Sequence, residues 1–269
     1  MTTVTHRPAG TPQISWLSAA MTDSAVLTRR YVNHILRQPE EIVMAVLIPT
    51  VMMLLFRYML GGAIDARDAG SYANFLVPGV MAVCVTLIAV STTVSVFMDM
   101  QEGFVDRFRS MSMMTTSIIV GHVMAAVLRA AIALSVVIAL GLAIGFRPKA
   151  DPLQWLFAMA IMALFAVSVA WVSALFGQIA KTADGASGLG LILAFLPYAS
   201  NVFTPTDMIS EGLRHFVANQ PVTAVIDAVR ALLLDQPVHN NAWLAILWWG
   251  GILAVAVPLS NRVFRRRFS

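Results

Sequence analysis

Charge is what this sequence has least of. Only 12% of its 269 residues are Asp, Glu, Lys or Arg, against roughly a quarter in ordinary soluble domains. So few charges cannot solvate a globule of this size. Cysteine is nearly missing too: Cys84 stands alone inside an apolar run, so no intrachain disulfide and no thiolate metal cluster can form, and the residue reads as packing. No G-x-x-x-x-G-K-[ST] phosphate loop occurs, which excludes the usual ATP cradle. The nearest glycine cluster, Gly185, Gly188 and Gly190, lacks the lysine and reads as close helix packing. No H-E-x-x-H and no Ser, His, Asp constellation stands at motif spacing, so neither a metal site nor a hydrolase is supported. Carboxylates are also missing from the middle of every apolar run. Asp99, Glu102, Asp106 and Asp184 lie near one edge, and Asp207, Glu211, Asp227 and Asp235 near the other. Ion-driven transporters keep such groups near the midplane because a buried carboxylate is costly without that task.

What is present is apolar. Hydrophobic residues make up 58% of the chain and the mean hydropathy is +0.77. They come in runs of about 18 or more, the length that crosses a hydrocarbon core of about 30 Å. The fold class this predicts is an all-α polytopic membrane protein with about six transmembrane helices. The net charge of +4 does not point to nucleic acid, because the basic residues flank apolar runs and form no aromatic-interleaved patch.

Along the chain, Met1 to Thr22 shows no apolar core with a small-residue cleavage pattern and is expected to be a cytoplasmic tail. Asp23 to Arg37 places Leu27, Tyr31 and Ile35 on one side and Arg29, Arg30 and Arg37 on the other, an amphipathic helix suited to a membrane surface. Residues 1–41 are thus expected to form a tail and interface helix, and 42–269 a six-span transmembrane domain. Its spans are expected at Ile42 to Leu60, Phe75 to Met98, Ile118 to Phe146, Trp155 to Gln178, Ala186 to Val202 and Ala242 to Val263. Between the last two, Met208 to Val217 and Val222 to Leu234 are each too short to cross. They read as a broken, partly re-entrant helical pair. Placing both termini in the cytoplasm collects Arg7, Arg29, Arg30, Arg37, Arg107, Arg109, Lys181, Arg262 and Arg265 to Arg267 inside. It leaves Arg67, Arg147, Lys149, Arg214 and Arg230 outside, and an excess of about two to one sets the orientation.

Four segments carry a family likeness: RQPEE at Arg37 to Glu41, FLVPG at Phe75 to Gly79, EGFVDRFRSMSM at Glu102 to Met113, and FTPTDM followed by NQPVTAVIDAVRALL at Asn219 to Leu233. In this order and spacing they resemble the type-two permease family of ABC exporters, typified by daunorubicin-resistance exporters. The resemblance spans nearly the whole chain. It implies a six-helix permease in the cell membrane that pairs with a second permease copy and docks a separate ABC ATPase subunit. ATP and Mg are then held by that partner, with no cofactor in this chain. It further implies that Glu102, Gly103, Asp106, Arg107 and Arg109 form a coupling helix, with Arg29, Arg30 and Arg37 on the interface helix. The same likeness suggests a gating role for Asn219, Pro221, Asp227 and Arg230 at the outer exit. Ser112 departs from the family's proline after the basic segment.

Each assignment has a plainer alternative. Arg107 and Arg109 can serve only to retain their loop inside, although Phe104, Val105 and Phe108 beside them suit insertion into a partner cleft. Asn219, Pro221, Asp227 and Arg230 also read as a capped, solvated outer helix with an i,i+3 pair worth a few tenths of a kcal/mol. Arg129, inside the third span, is expected to snorkel or to pair with Asp99 or Asp184 rather than touch substrate. Met52, Met53, Met59, Met159 and Met162 suit either an adaptable pathway or packing. The function implied is ATP-driven export of an amphipathic small molecule, drug-like or lipid. Export of a polysaccharide or glycolipid, a non-transport assembly subunit and a membrane-embedded lipid enzyme are the alternatives.

Overall fold

A computed structural model describes residues 39–61, 71–101 and 116–268. The interface helix over 23–37 and the coupling segment over 102–113 lie outside the described residues. Within them every regular element is helical: α1 (Pro39–Leu60), α2 (Tyr72–Gln101), α3 (Thr116–Ala143), α4 (Pro152–Ile179) and α5 (Ala183–Phe195), which runs into a 3-10 turn at Leu196–Ala199. A second 3-10 turn, Thr206–Met208, precedes α6 (Glu211–Asn219), α7 (Pro221–Leu233) and α8 (Asn241–Phe268).

Length separates these helices into classes. Among the described residues α2, α3, α4 and α8 are long and apolar enough to cross a membrane, and α6 with α7, bent by 75° at their junction, forms one broken candidate. Helix α1 is apolar over Val43–Met59, and α5 with its 3-10 turn over Ala183–Ala199. At 1.5 Å per residue each of these reaches only about 25 Å, the short end of the spanning range. The broken pair falls where the sequence places it, with Pro221 at the first position of α7, where its missing N–H costs nothing.

Local chemistry sets the boundaries. Asp151 caps α4 by accepting from the Gln154 N–H while the Gln154 side chain accepts from the Asp151 N–H, a capping box. Thr182 caps α5 through the Gly185 N–H at 3.0 Å. Helix α3 stops at Ala143, short of the expected Phe146, because Gly145 takes φ +105°. The Phe146 N–H then returns to the Gly141 carbonyl at 2.9 Å, the closing bond of a Schellman motif. Phe146 is thereby tucked into the core, fully buried.

Helix α2 is the hub. It packs against α1, α3, α4, α5 and α7, and 72% of its most apolar stretch is buried. Its contact with α5 needs glycine at position 190, where a Cβ would stand 2.7 Å from the Val90 Cα. Gly188 meets nothing, so close packing belongs to one glycine of that cluster. Helix α8 is the outermost long helix, 17% buried, and it rests on α4 and α7. There the Trp249 indole meets the Phe165 ring edge-on at 4.5 Å, and Ser168 Oγ donates to the Trp249 carbonyl at 3.0 Å. Met53 and Met162 are buried in the core, whereas Met59 is exposed.

Candidate functional site

Among the described residues, a polar arrangement interrupts the apolar core at each end of α2. At the Tyr72 end, Arg230 of α7 is buried although it belongs to a short helix that the i,i+3 pattern alone would leave in solvent. Its Nη1 donates to Asp227 Oδ1 at 2.7 Å, Nε to the Phe75 carbonyl at 3.2 Å, and Nη2 to the Asn201 carbonyl at 3.3 Å. The guanidinium carbon also sits 3.9 Å from the Phe75 ring centre, a cation–π contact that gains strength where water is excluded. Asn201 Nδ2 donates to the same Asp227 oxygen at 2.7 Å. One carboxylate and one guanidinium thus tie together the start of α2, the segment after α5 and the broken pair. The solvated reading is corrected for Arg230, which α7 turns into protein as it packs against α2, α4 and α8, while Asp227 keeps partial exposure.

Neighbouring bonds complete this end. Tyr72 Oη donates to the Phe203 carbonyl at 2.9 Å, and the Phe203 ring stacks on Phe56 of α1 at 4.2 Å. Asn74 Oδ1 accepts from the Arg147 N–H at 2.8 Å, and the Leu233 carbonyl accepts from the Lys149 N–H at 2.9 Å. At the break itself, Trp249 Nε1 donates to the Pro221 carbonyl at 3.1 Å and Gln220 Nε2 to the Leu196 carbonyl at 3.4 Å. Backbone that leaves a helix inside a membrane needs such partners, since no water supplies them. Asn219 stays exposed and bonds within its own helix, to the His215 carbonyl, so it stands apart from the Asp227 and Arg230 cluster.

At the opposite end, α2 and α3 face each other across a polar seam. His122 Nε2 and Asp99 Oδ2 are 2.9 Å apart with His122 buried. Two helical turns deeper, buried Arg129 donates from Nη2 to Thr92 Oγ1 at 3.1 Å. Both steps are seven residues, from 122 to 129 on α3 and from 99 to 92 on α2, so both rungs share one antiparallel register. Asp99 and His122 flank the segment over 102–115 that holds the expected coupling residues. Sequence reasoning passed over His122 and Asn201, and met Phe75 only as the start of the FLVPG segment. A lone histidine within an apolar run, with an aspartate at the end of the preceding run, was the available signal for the first.

A family model described as ABC-2 type transporter matches residues 23–234, well over half of the chain. The chain belongs to this family. It is 30% identical over 230 residues to the daunorubicin resistance ABC transporter permease protein DrrB1 of Streptomyces coeruleorubidus, an alignment covering 85% of this chain and 81% of that one. It is 21% identical over 236 residues to a probable doxorubicin resistance ABC transporter permease protein, DrrC, of Mycobacterium tuberculosis, covering 87% and 85%. This ABC-2 permease is therefore a multi-pass membrane protein and a transport component, with ATP hydrolysis carried by a separate ATPase subunit.

Proposed function

We propose that this permease exports an amphipathic, lipophilic small molecule of a drug-like or lipid class, and that it works as two copies docked on a pair of ATPase subunits. The observation that carries the substrate class is the 30% identity, over 85% of the chain, to a daunorubicin resistance permease. In this reading 1–41 is a cytoplasmic tail and interface helix and 42–269 is a six-span domain with both termini inside. Helix α1 and the α5 segment are then its two short spans. The basic excess among the expected cytoplasmic segments supports that orientation.

Energy enters through Glu102, Gly103, Phe104, Asp106, Arg107, Phe108 and Arg109, with Arg29, Arg30 and Arg37 alongside. A coupling element must be gripped by its ATPase, and buried aromatic anchors grip best. Force arriving at 102–109 acts first on the ends of α2 and α3, which the His122 to Asp99 contact holds together. At the far end α2 is tied through Phe75 to Arg230 and Asp227, the outer gate in this reading, with Pro221 and Asn219 at its hinge.

The test is Phe104→Ala combined with Phe108→Ala, in cells expressing the permease with its ATPase. Anthracycline export should be lost and the ATPase should co-purify poorly, while membrane insertion is unchanged. Wild-type export with normal co-purification would remove the coupling assignment. A wild-type pair that exports no anthracycline would remove the substrate class instead.

A further inference from the structure

Helices α4 and α8 leave a groove of about 560 Å³ between them, lined by apolar side chains that include Val172 and Leu175 on α4 and Trp248, Gly251, Val255 and Leu259 on α8. Trp248, Val255 and Leu259 are exposed, and a Cβ added at Gly251 would meet nothing within 4 Å. The groove extends along α8 from Leu247 to Leu259, about 18 Å at 1.5 Å per residue, close to the depth of one leaflet's hydrocarbon. Continuing the α8 stripe past Leu259 in the same steps of three and four residues reaches Arg262 and Arg266, both exposed. Arg265, by contrast, lies about 60° from Arg262 and about 100° from Arg266 around the helix, at the edge of that stripe.

A tail-length apolar channel that ends in two cations matches one kind of molecule in a bilayer. We propose that this groove is a binding site for an anionic glycerophospholipid of the leaflet at the carboxyl-terminal end of α8. One acyl chain lies along Trp248, Gly251, Val255 and Leu259, and the phosphate rests on Arg262 and Arg266. Charge complementarity selects this occupant: a second copy of the chain would bring its own apolar face, leaving both arginines without a counter-ion in the interface. The site is independent of which side of the membrane α8 ends on.

Native mass spectrometry of the detergent-solubilised permease with its ATPase tests this, with dioleoyl phosphatidylglycerol and dioleoyl phosphatidylcholine as probes. Wild type should retain phosphatidylglycerol in preference. Arg262→Gln with Arg266→Gln should weaken that retention roughly thirtyfold, the effect of two basic residues at a membrane surface, and leave phosphatidylcholine alone. Arg265→Gln removes one of the same charges at the edge of the stripe and should change little. Gly251→Leu, at a position where an added Cβ meets nothing within 4 Å, puts a side chain into the groove and should lower retention of both lipids. Equal retention in the double glutamine variant and wild type overturns the proposal. So does a Gly251→Leu variant that alters the number of permease copies while holding lipid normally, or displacement of the lipid by daunorubicin, which would make the groove a substrate site.

Discussion

Arg230 makes bonds to three separate segments, and those bonds are unequal in what they leave behind when broken. Removing Asp227 strands a guanidinium that is buried, whereas removing Arg230 strands a carboxylate whose side chain is 29% exposed and can be hydrated. A buried charge left without its partner costs about 3–5 kcal/mol, and the partial exposure of Asp227 lowers the cost on its side. Asp227→Ala should therefore destabilise the permease more than Arg230→Met. The double variant should cost less than the sum by about 1–3 kcal/mol, read as thermal unfolding of the purified complex by tryptophan fluorescence. Additive singles would mean that the pair is hydrated and does not act as a unit. This cluster was only partly legible beforehand. Spacing brought Asp227 and Arg230 together on one helix face, but the partners that bury them, Phe75 and Asn201, lie 155 and 29 residues from Arg230, and no local pattern records a contact of that range.

At the scale of elements, the helices themselves were the most legible part, because apolar runs bounded by proline and capping residues admit few other readings in lipid. The short pair α6 and α7 was recovered within a few residues, Pro221 marking its break. The end of α3 was missed because a Schellman return buries Phe146, an apolar residue that in sequence simply prolongs the run. The seam between α2 and α3 was invisible as well: its rungs pair residues 23 and 37 positions apart. Asp99 and Asp184 were the expected partners of Arg129; Asp99 lies 2.9 Å from His122, and the hydrogen bond from Arg129 to Thr92 was not foreseen. If this seam carries the ATPase stroke, Asp99→Asn with His122→Asn should cut export by an order of magnitude or more while ATP turnover of the complex persists. Exchanging the two residues, Asp99→His with His122→Asp, should restore much of it. Equal loss of export and turnover, alongside a lowered unfolding temperature, would mark the seam as a packing feature only.

Over the whole molecule, orientation has its own test. With Cys84→Ala as background, single cysteines at Asp68 and Gln236 should react with an impermeant maleimide added to intact cells, since both positions fall on the outer side when the termini are inside. Labelling only after the cells are opened would invert the molecule. The seam also restricts which internal motions are cheap. Two rungs in one register, seven residues apart on both helices, work like a pair of teeth. Shifting α3 by one turn along α2 would bring Arg129 opposite Ile88 or Val96, replacing the Thr92 hydroxyl with hydrocarbon and losing a hydrogen bond to a charged group worth about 1.5–3 kcal/mol. Lengthwise slippage is thereby penalised, while tilting the two helices as a single rod keeps every bond. On the proposed coupling, a stroke delivered at one face of the membrane would then arrive at the other as a change of angle, with its direction preserved across the full length of α2.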